Sequence, residues 1–506
     1  MELTSLPYFL VFISLFLFLY LYLFPSLNKP KPANGFTLYP ILGTLPELIR
    51  NRHRFLDWMT EVLSCCPSQT SEFRRPGKLP GIITANPLNV EHMLKTNFEN
   101  YPKGDRFIPP FKDFLGHGIF NVDSDLWKLQ RNTALYEFNT RSLRKFFMET
   151  AMVQIQTRLI PTLKDAAQTK HVLDLQDSLE RFAFDNVCML SFNVDPGCLG
   201  CNNDVNNAFM LAFGDAAMLC FGRFLYAVPF FWKVKRFLQL GSERRLREAV
   251  KTVHDFADGI IQLRLEKKTD QSGEDLLSRF MKNNESSPEF LRDIVISFIL
   301  AGRDTTASVL CWFFWLLSSR PDVEEKILEE LNAIRRRSGK RMGEAYSFDE
   351  LREMNYLHAT LSETMRLHPP VAVMQKACIS DDTFPDGTFV GKGWSVTYSS
   401  YAMGRMESIW GEDCRKFRPE RWLKDGVHQN ESPFRFPAFN AGPRTCLGKE
   451  MAYLQMKCVA ASVLERFEVD VLEKKRPETS LSMVHRMKGG LHVRVTEKFV
   501  EFANSC

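Results

Sequence analysis

Hydrophobic and polar positions follow three different rhythms along this chain. Residues 6–24 (LPYFLVFISLFLFLYLYLF) form an apolar run with no charge and one clearly polar side chain, Ser14. At 1.5 Å per residue such a run reaches roughly 28 Å, about one bilayer core. From residue 126 onward, apolar positions recur at three- and four-residue spacing over most of the chain, which predicts a helix-rich body. Helices are expected over residues 141–163, 242–267 and 288–319. Segment 77–87 (GKLPGIITANP) predicts short strands and turns, as does FVGKGWSVTYS after Pro369, before a last helix over 447–467. Polar breaks at 270–273 and 335–343 predict surface loops rather than domain boundaries. No internal repeat or low-complexity tract interrupts the pattern. The expected fold class is mainly α (α+β), one helix-rich domain with small β-sheets.

The apolar start does not resemble a cleaved signal peptide. It carries Glu2 and no Lys or Arg, and no small-residue cleavage site follows. Basic residues come afterwards, at Lys29, Lys31, Arg50, Arg52 and Arg54, so the positive-inside rule puts the following mass in the cytosol. The expected organisation is a single transmembrane anchor over residues 1–25, a Pro-rich linker over 26–34 (including Lys29-Pro30-Lys31-Pro32) and one large domain over 35–506.

Composition changes this picture little. With 506 residues, 45% hydrophobic and 25% charged, the chain is neither a disordered polymer nor a collagen nor a multi-pass membrane protein. A net charge of +5 gives no ground for nucleic-acid binding. The twelve cysteines read mostly as reduced, packed thiols, and the lone C-x-x-C of Cys198 and Cys201 is a weak zinc signal without a second pair. The 42 Phe are enough to line a large apolar interior or cavity.

One cysteine stands apart. Phe439-Asn440-Ala441-Gly442-Pro443-Arg444-Thr445-Cys446-Leu447-Gly448 puts Cys446 in a Gly/Pro loop just before a helix, where backbone N–H groups and the helix dipole favour thiolate. A thiolate so placed suits the axial position of a large flat metal cofactor. Gly442 would let the loop approach the macrocycle, Phe439 would shield the sulfur, and Arg444 would neutralise a propionate. The pattern F-x-x-G-x-R-x-C-x-G fixes five residue types, a chance match on the order of 10⁻⁴.

At these residues the chain resembles the haem-thiolate monooxygenases, the cytochrome P-450 superfamily. Other parts of the sequence agree. Ala301-Gly302-Arg303-Asp304-Thr305-Thr306 interrupts a long apolar helix. Gly302 would leave room in a groove. Thr305 can bond back to the Ala301 carbonyl and open the helix locally, making a dioxygen slot with Asp304 beside it as a proton relay. Glu363 and Arg366 share a helix face. The resemblance implies that they are buried and completed by Arg421 of Pro419-Glu420-Arg421, as structural residues. It also implies that Trp127 and Arg131, at i and i+4, meet a haem propionate, with Lys376 a further basic contact and Gly448 closing the cysteine loop.

The chain is further similar to the plant branch of fatty-acid ω-hydroxylases, through Asn100-Tyr101-Pro102-Lys103-Gly104, residues 114–123 (FLGHGIFNVD) and residues 441–451 (AGPRTCLGKEM). That branch also contains relatives that oxidise jasmonate conjugates or the end of a sterol side chain. The resemblance implies haem b, with dioxygen and NADPH-derived electrons as co-substrates. It implies an NADPH-cytochrome reductase as partner, a small lipid substrate, and a single-pass place in the endoplasmic reticulum membrane facing the cytosol. Expected pocket residues are Phe107, Phe111, Phe114, Ile119, Phe120, Ala301, Val371, Val373, Met374 and Val484, with Phe209, Phe213 and Phe221 as further candidates. Arg106 and Arg223 are candidate partners for a substrate carboxylate, and Lys128, Lys449 and Lys457 for an acidic reductase. The rivals are an oxygen-independent haem-thiolate isomerase, which would disrupt the threonine or lengthen the cysteine loop, and a non-catalytic haem sensor, which has no need of Asp304 and Thr305.

Overall fold

The computed structural model describes residues 35–498 except 139–140, 201–203, 227–228, 267–275, 283–286 and 481, together with residues 14–16 and 18. The anchor expected over residues 1–25 (those four aside), the linker over 26–34 and the break at 270–273 lie outside the described residues.

The helix Pro288–Leu317 runs through the centre of the molecule. Ser287 caps it by accepting a hydrogen bond from the Phe290 N–H, and Pro288 takes the first helical position, where a missing N–H costs nothing. Its apolar residues cover all faces, so it must be enclosed on all sides. It packs against the helices Leu175–Phe192 and Lys449–Leu464, with Trp312 and Phe313 fully buried. Two helices among the described residues, this one and Val205–Gly222, are long and apolar enough to cross a membrane; this one is the core helix of the body.

A second apolar cluster joins Asp204–Gly222 and Ser242–Glu266 to the early part of the long helix. Much of the Phe content goes here: Phe184 stacks on Phe209 at 4.9 Å, and Phe209 lies 4.1 Å from Phe256.

The main sheet draws on both ends of the chain. Thr70–Phe73 and Gly81–Thr84 form an antiparallel hairpin, and Gly81–Thr84 pairs in parallel with Ser395–Tyr398. Met374–Ala377 completes the four strands. Two expectations change, and one helix was not foreseen. The charged stretch at 335–338 continues the helix Pro321–Ser338, because Arg335 is buried against Glu465 and Gly339 ends the helix in the left-handed conformation. Gly104–Leu115 is helical despite Pro109 and Pro110, which hid its periodicity. The helix expected over 141–163 runs on to residue 169, Arg141–Gln154 and Ile160–Thr169 being joined by a wider helical turn at Ile155–Leu159.

Beside the long helix, Glu363 and Arg366 pair at 2.7 Å and Arg421 joins Glu363 at 3.2 Å. Trp422 Nε1 donates to the same carboxylate, and Arg366 donates to the carbonyls of Gly404, Cys414 and Lys416. The carboxylate and the Arg366 guanidinium, both fully buried, are closed on every side by partners.

Candidate active site

The cysteine loop is a short helical turn, Gly442–Arg444, followed by the helix Lys449–Leu464. The Cys446 N–H donates to the Phe439 carbonyl at 2.8 Å, so Phe439 holds the loop by its backbone while its ring packs on Tyr453. Gly442 has φ +63°, and a Cβ there would stand 1.8 Å from the Leu94 carbonyl oxygen. The close approach that requires glycine is therefore to the chain at Leu94. A Cβ at Gly448 would make only ordinary contacts, 4.0 Å from the Cys446 sulfur. Cys446 lies deep in the fold but its own surface is left uncovered. Burial pushes its thiol pKa up, outweighing the Gly448 N–H, Arg131 and Lys449, which pull it down. The helix-start setting alone does not make a thiolate here; coordination to a metal cation would.

Beside the cysteine loop lies a pocket of surplus positive charge. Arg444 pairs with Asp123 at 2.6 Å and stacks 4.3 Å over the Trp127 ring, with Arg131 6.0 Å from the same ring. The Lys376 ammonium is buried with no hydrogen-bond partner among the described residues, and burial together with Arg444 lowers its pKa to about 7. Lys103, missed by the sequence reading of this pocket, is buried beside them and donates to the Phe120 carbonyl; burial lowers its pKa too. Arg444 Nε is also buried without a partner. Several cations thus share one carboxylate, Asp123. A flat cofactor carrying two carboxylates, with a thiolate-liganded metal, fits this donor set.

On the long helix, the Thr305 hydroxyl donates to the Ala301 carbonyl at 2.7 Å, as the spacing predicts. The helix stays continuous through this bond. Gly302 faces away from any groove: a Cβ there would lie 2.6 Å from a Val187 methyl, so glycine lets two core helices meet. Asp304 does not line the cavity. Its carboxylate is buried 3.4 Å from Arg303, beside Glu180, which pairs with Arg303 and Arg486.

Thr305 and Ala301 line a cavity of about 270 Å³. Of the expected wall, Phe107, Phe111, Phe120, Phe221, Val371, Val373, Met374 and Val484 line it. Phe114, Phe209 and Phe213 do not; they pack against one another in the second core, Phe114 on Phe213 at 5.1 Å. Ile119 also lies outside the wall. The sequence reading missed the opposite wall, where Phe36, Leu48, Phe55, Trp58, Phe73 and Arg75 stand. No sequence signal marked it, since aromatics over residues 36–73 are about as dense as in the chain as a whole. Arg223 is not available to a substrate: it is buried between Glu243 and Asp113, at 2.5 and 2.7 Å. Lys457 is likewise no docking residue, since its buried ammonium donates to the Leu351 carbonyl at 2.8 Å. Lys128 and Lys449 are exposed. Among the described residues no three His, Cys, Asp or Glu side chains gather as a metal site; Cys198 is buried and Cys201 lies outside those residues.

A deep cysteine loop, a cation pocket and a threonine-lined, largely apolar cavity together define a haem-thiolate protein. The chain belongs to the cytochrome P450 family, whose model matches residues 33–493. It is 53% identical to cytochrome P450 CYP94D108 of Paris polyphylla, covering 94% of this chain and 95% of that protein. It is 44% identical to cytochrome P450 94A2 of Vicia sativa (98% and 99%) and 46% identical to cytochrome P450 94B1 of Arabidopsis thaliana (91% of each). The protein is a P450 monooxygenase that uses haem b, dioxygen and electrons passed from NADPH through a redox partner.

Proposed function

We propose that this monooxygenase hydroxylates a lipid-like aliphatic substrate at or near the end of its chain, as a fatty-acid ω-hydroxylase does. The observation that carries this reading is the largely apolar cavity lined by Ala301 and Thr305. An apolar wall takes a hydrocarbon chain without a polar desolvation cost. Haem, when bound, supplies the activation of dioxygen for insertion into an unactivated C–H bond.

The residues contribute the rest. Cys446 would ligate the haem iron, its loop held by the N–H bond to the Phe439 carbonyl. Lys376, Arg444, Arg131 and Trp127 take the propionates, with Lys103 beside them. Thr305 Oγ1, whose proton is parked on the Ala301 carbonyl, is free to accept a second hydrogen bond and pass a proton into the cavity. Asp304 Oδ1 has an ion pair but no hydrogen bond, which leaves it able to receive and release that proton if it turns from Arg303. Glu363, Arg366 and Arg421 hold the fold beneath the site. The protein is anchored by residues 1–25 in the endoplasmic reticulum membrane, with residues 35–506 in the cytosol, and NADPH-cytochrome reductase docks near Lys128 and Lys449.

The test is turnover of purified holoenzyme with reductase and NADPH on fatty acids, a jasmonate conjugate and a sterol, with the added oxygen located by mass spectrometry. Chain-end alcohols from fatty acids are expected; haem reduction without oxidation of any lipid overturns the reading. For the ligand, the carbon monoxide difference spectrum of Cys446→Ser must change, and an unchanged one refutes the assignment.

A further inference from the structure

The cavity wall carries charge that its surroundings do not neutralise. Arg75 lines the same cavity as Thr305. It stands with Lys78 in the connection between the strands Thr70–Phe73 and Gly81–Thr84, and Arg106 approaches from the helix Gly104–Leu115. The three side chains are close enough to act on one another. Burial first, then Arg106, lowers the Arg75 pKa to about 10; burial, then Arg75 and Arg106, lowers that of Lys78 to about 7.

Their hydrogen-bond partners are all neutral. Arg75 Nη1 donates to the Phe224 carbonyl at 2.8 Å, Lys78 Nζ to the Tyr226 carbonyl at 3.4 Å. Arg106 donates to the Leu79 carbonyl and to Ser395 Oγ, both at 3.2 Å. Among the described residues no carboxylate pairs with any of the three. Some other buried or half-buried arginines are matched by acids, Arg158 by Asp185 and Asp195 and Arg223 by Glu243 and Asp113, while Arg405 and Arg466 rest on neutral oxygens. Gathering three cations with no anion disfavours the charged forms unless an anion arrives. Because Arg75 lines a cavity whose wall is mostly apolar, with Lys103 its one other charged lining residue among those described, that anion is the head of a ligand whose remainder is hydrocarbon. A guanidinium also matches a carboxylate with two parallel bonds.

We propose that Arg75, Lys78 and Arg106 form a carboxylate-binding subsite that holds an aliphatic acid by its head, with its chain directed to Thr305. This rests on the lipid-hydroxylase reading, and it makes the three cations a positioning device that sets which carbon is oxidised. Arg223 is excluded from that role by its own acids, whereas Arg106 returns to it as part of a trio.

The test compares dodecanoate with methyl dodecanoate, which share a chain but not a charge, by calorimetric binding to the full-length holoenzyme. Wild type is expected to bind the acid at least about tenfold more tightly than the ester. Arg75→Gln should abolish that preference while leaving ester affinity intact, Arg75→Lys should restore part of it, and exposed Arg74→Gln should do nothing. If Arg75→Gln fails to fold, Arg106→Gln is read in the same way. An acid-to-ester ratio near one in wild type, or a ratio that neither variant moves, overturns the subsite. Product position separates the two claims: loss of the ratio with hydroxylation spreading inward along the chain supports both. A carboxylate preference that depends on Arg75, with no lipid oxidised, sinks the hydroxylase reading and leaves the subsite standing.

Discussion

Two buried charge clusters, built from the same kinds of side chain, differ in whether their hydrogen bonds close. Around Glu363, both carboxylate oxygens and the Arg366 guanidinium are satisfied by Arg421, Trp422 and backbone carbonyls. Around Asp123, the Lys376 ammonium and Arg444 Nε are buried with no partner among the described residues, and only one acid faces the surrounding cations. A low-dielectric interior tolerates the first arrangement as a fixed brace and makes the second costly until further negative charge enters. The first is therefore structure and the second is a receptor. Sequence spacing alone cannot separate them, since both begin as ordinary basic residues on helices, strands and loops.

The largest effect should come from opening the closed cluster. Glu363→Gln leaves Arg366 a buried cation without its acid and Arg421 with Asp413 alone, a loss of about 3–5 kcal/mol. Thermal unfolding of the purified variant should show it, or the holoprotein should fail to accumulate. An unshifted midpoint would erase the contrast drawn above.

Acid tests a third group, the buried imidazoles of His485 and His358, neither of which has a carboxylate hydrogen-bond partner among the described residues. Burial, followed by Arg405 and Arg476, holds His485 at about 3, and burial, followed by Lys457, holds His358 at about 2. With folded values below the ordinary 6.5, the unfolded chain takes up protons first. The penalty is absent above pH 6.5 and grows as pH falls. By pH 5 each imidazole costs about 2 kcal/mol. Midpoints at fixed scan rate should fall between pH 7 and pH 5, before carboxylates protonate, and His485→Phe should make that fall shallower.

A smaller effect sharpens the receptor. Lys376→Met removes the unpartnered ammonium, so the holoprotein should release haem to an excess of acceptor globin about tenfold faster, a difference of about 1.4 kcal/mol. Lys457→Met removes a buried ammonium already bonded to the Leu351 carbonyl and should leave haem release unchanged. Smallest of all, Lys449→Glu changes an exposed charge. It should slow reductase-driven haem reduction roughly twofold to fivefold at low salt, and the difference should vanish at high salt.

The cysteine loop and the Thr305 back-bond were legible because short, local patterns specify them: a cysteine among fixed glycines, and a hydroxyl four residues after its acceptor. The Glu363 brace was half legible, as its i, i+3 pair is local but Arg421 arrives from elsewhere in the chain. The cavity divided for the same reason. Val371, Val373 and Met374 were found, yet Phe114, Phe209 and Phe213 proved to be core, because an apolar residue carries no mark of which side of a wall it faces. Arg223 read as free only because Asp113 and Glu243 approach it from other helices. Arg75 was passed over because its significance is an absence of acids around it, a property of three dimensions.

The parallel pairing of Gly81–Thr84 with Ser395–Tyr398 has a consequence for how the molecule is made. Loop-closure entropy delays contacts between distant segments, and a strand near the amino end must wait for its partner to emerge from the ribosome. Lys376 and the cavity residue Thr397 belong to the late strands of this sheet, and Cys446 comes later still. A nascent chain thus builds its Phe-rich helical clusters well before it can grasp haem. Cofactor capture falls at the end of synthesis, so a shortage of haem should leave nearly finished chains exposed to chaperones and proteases.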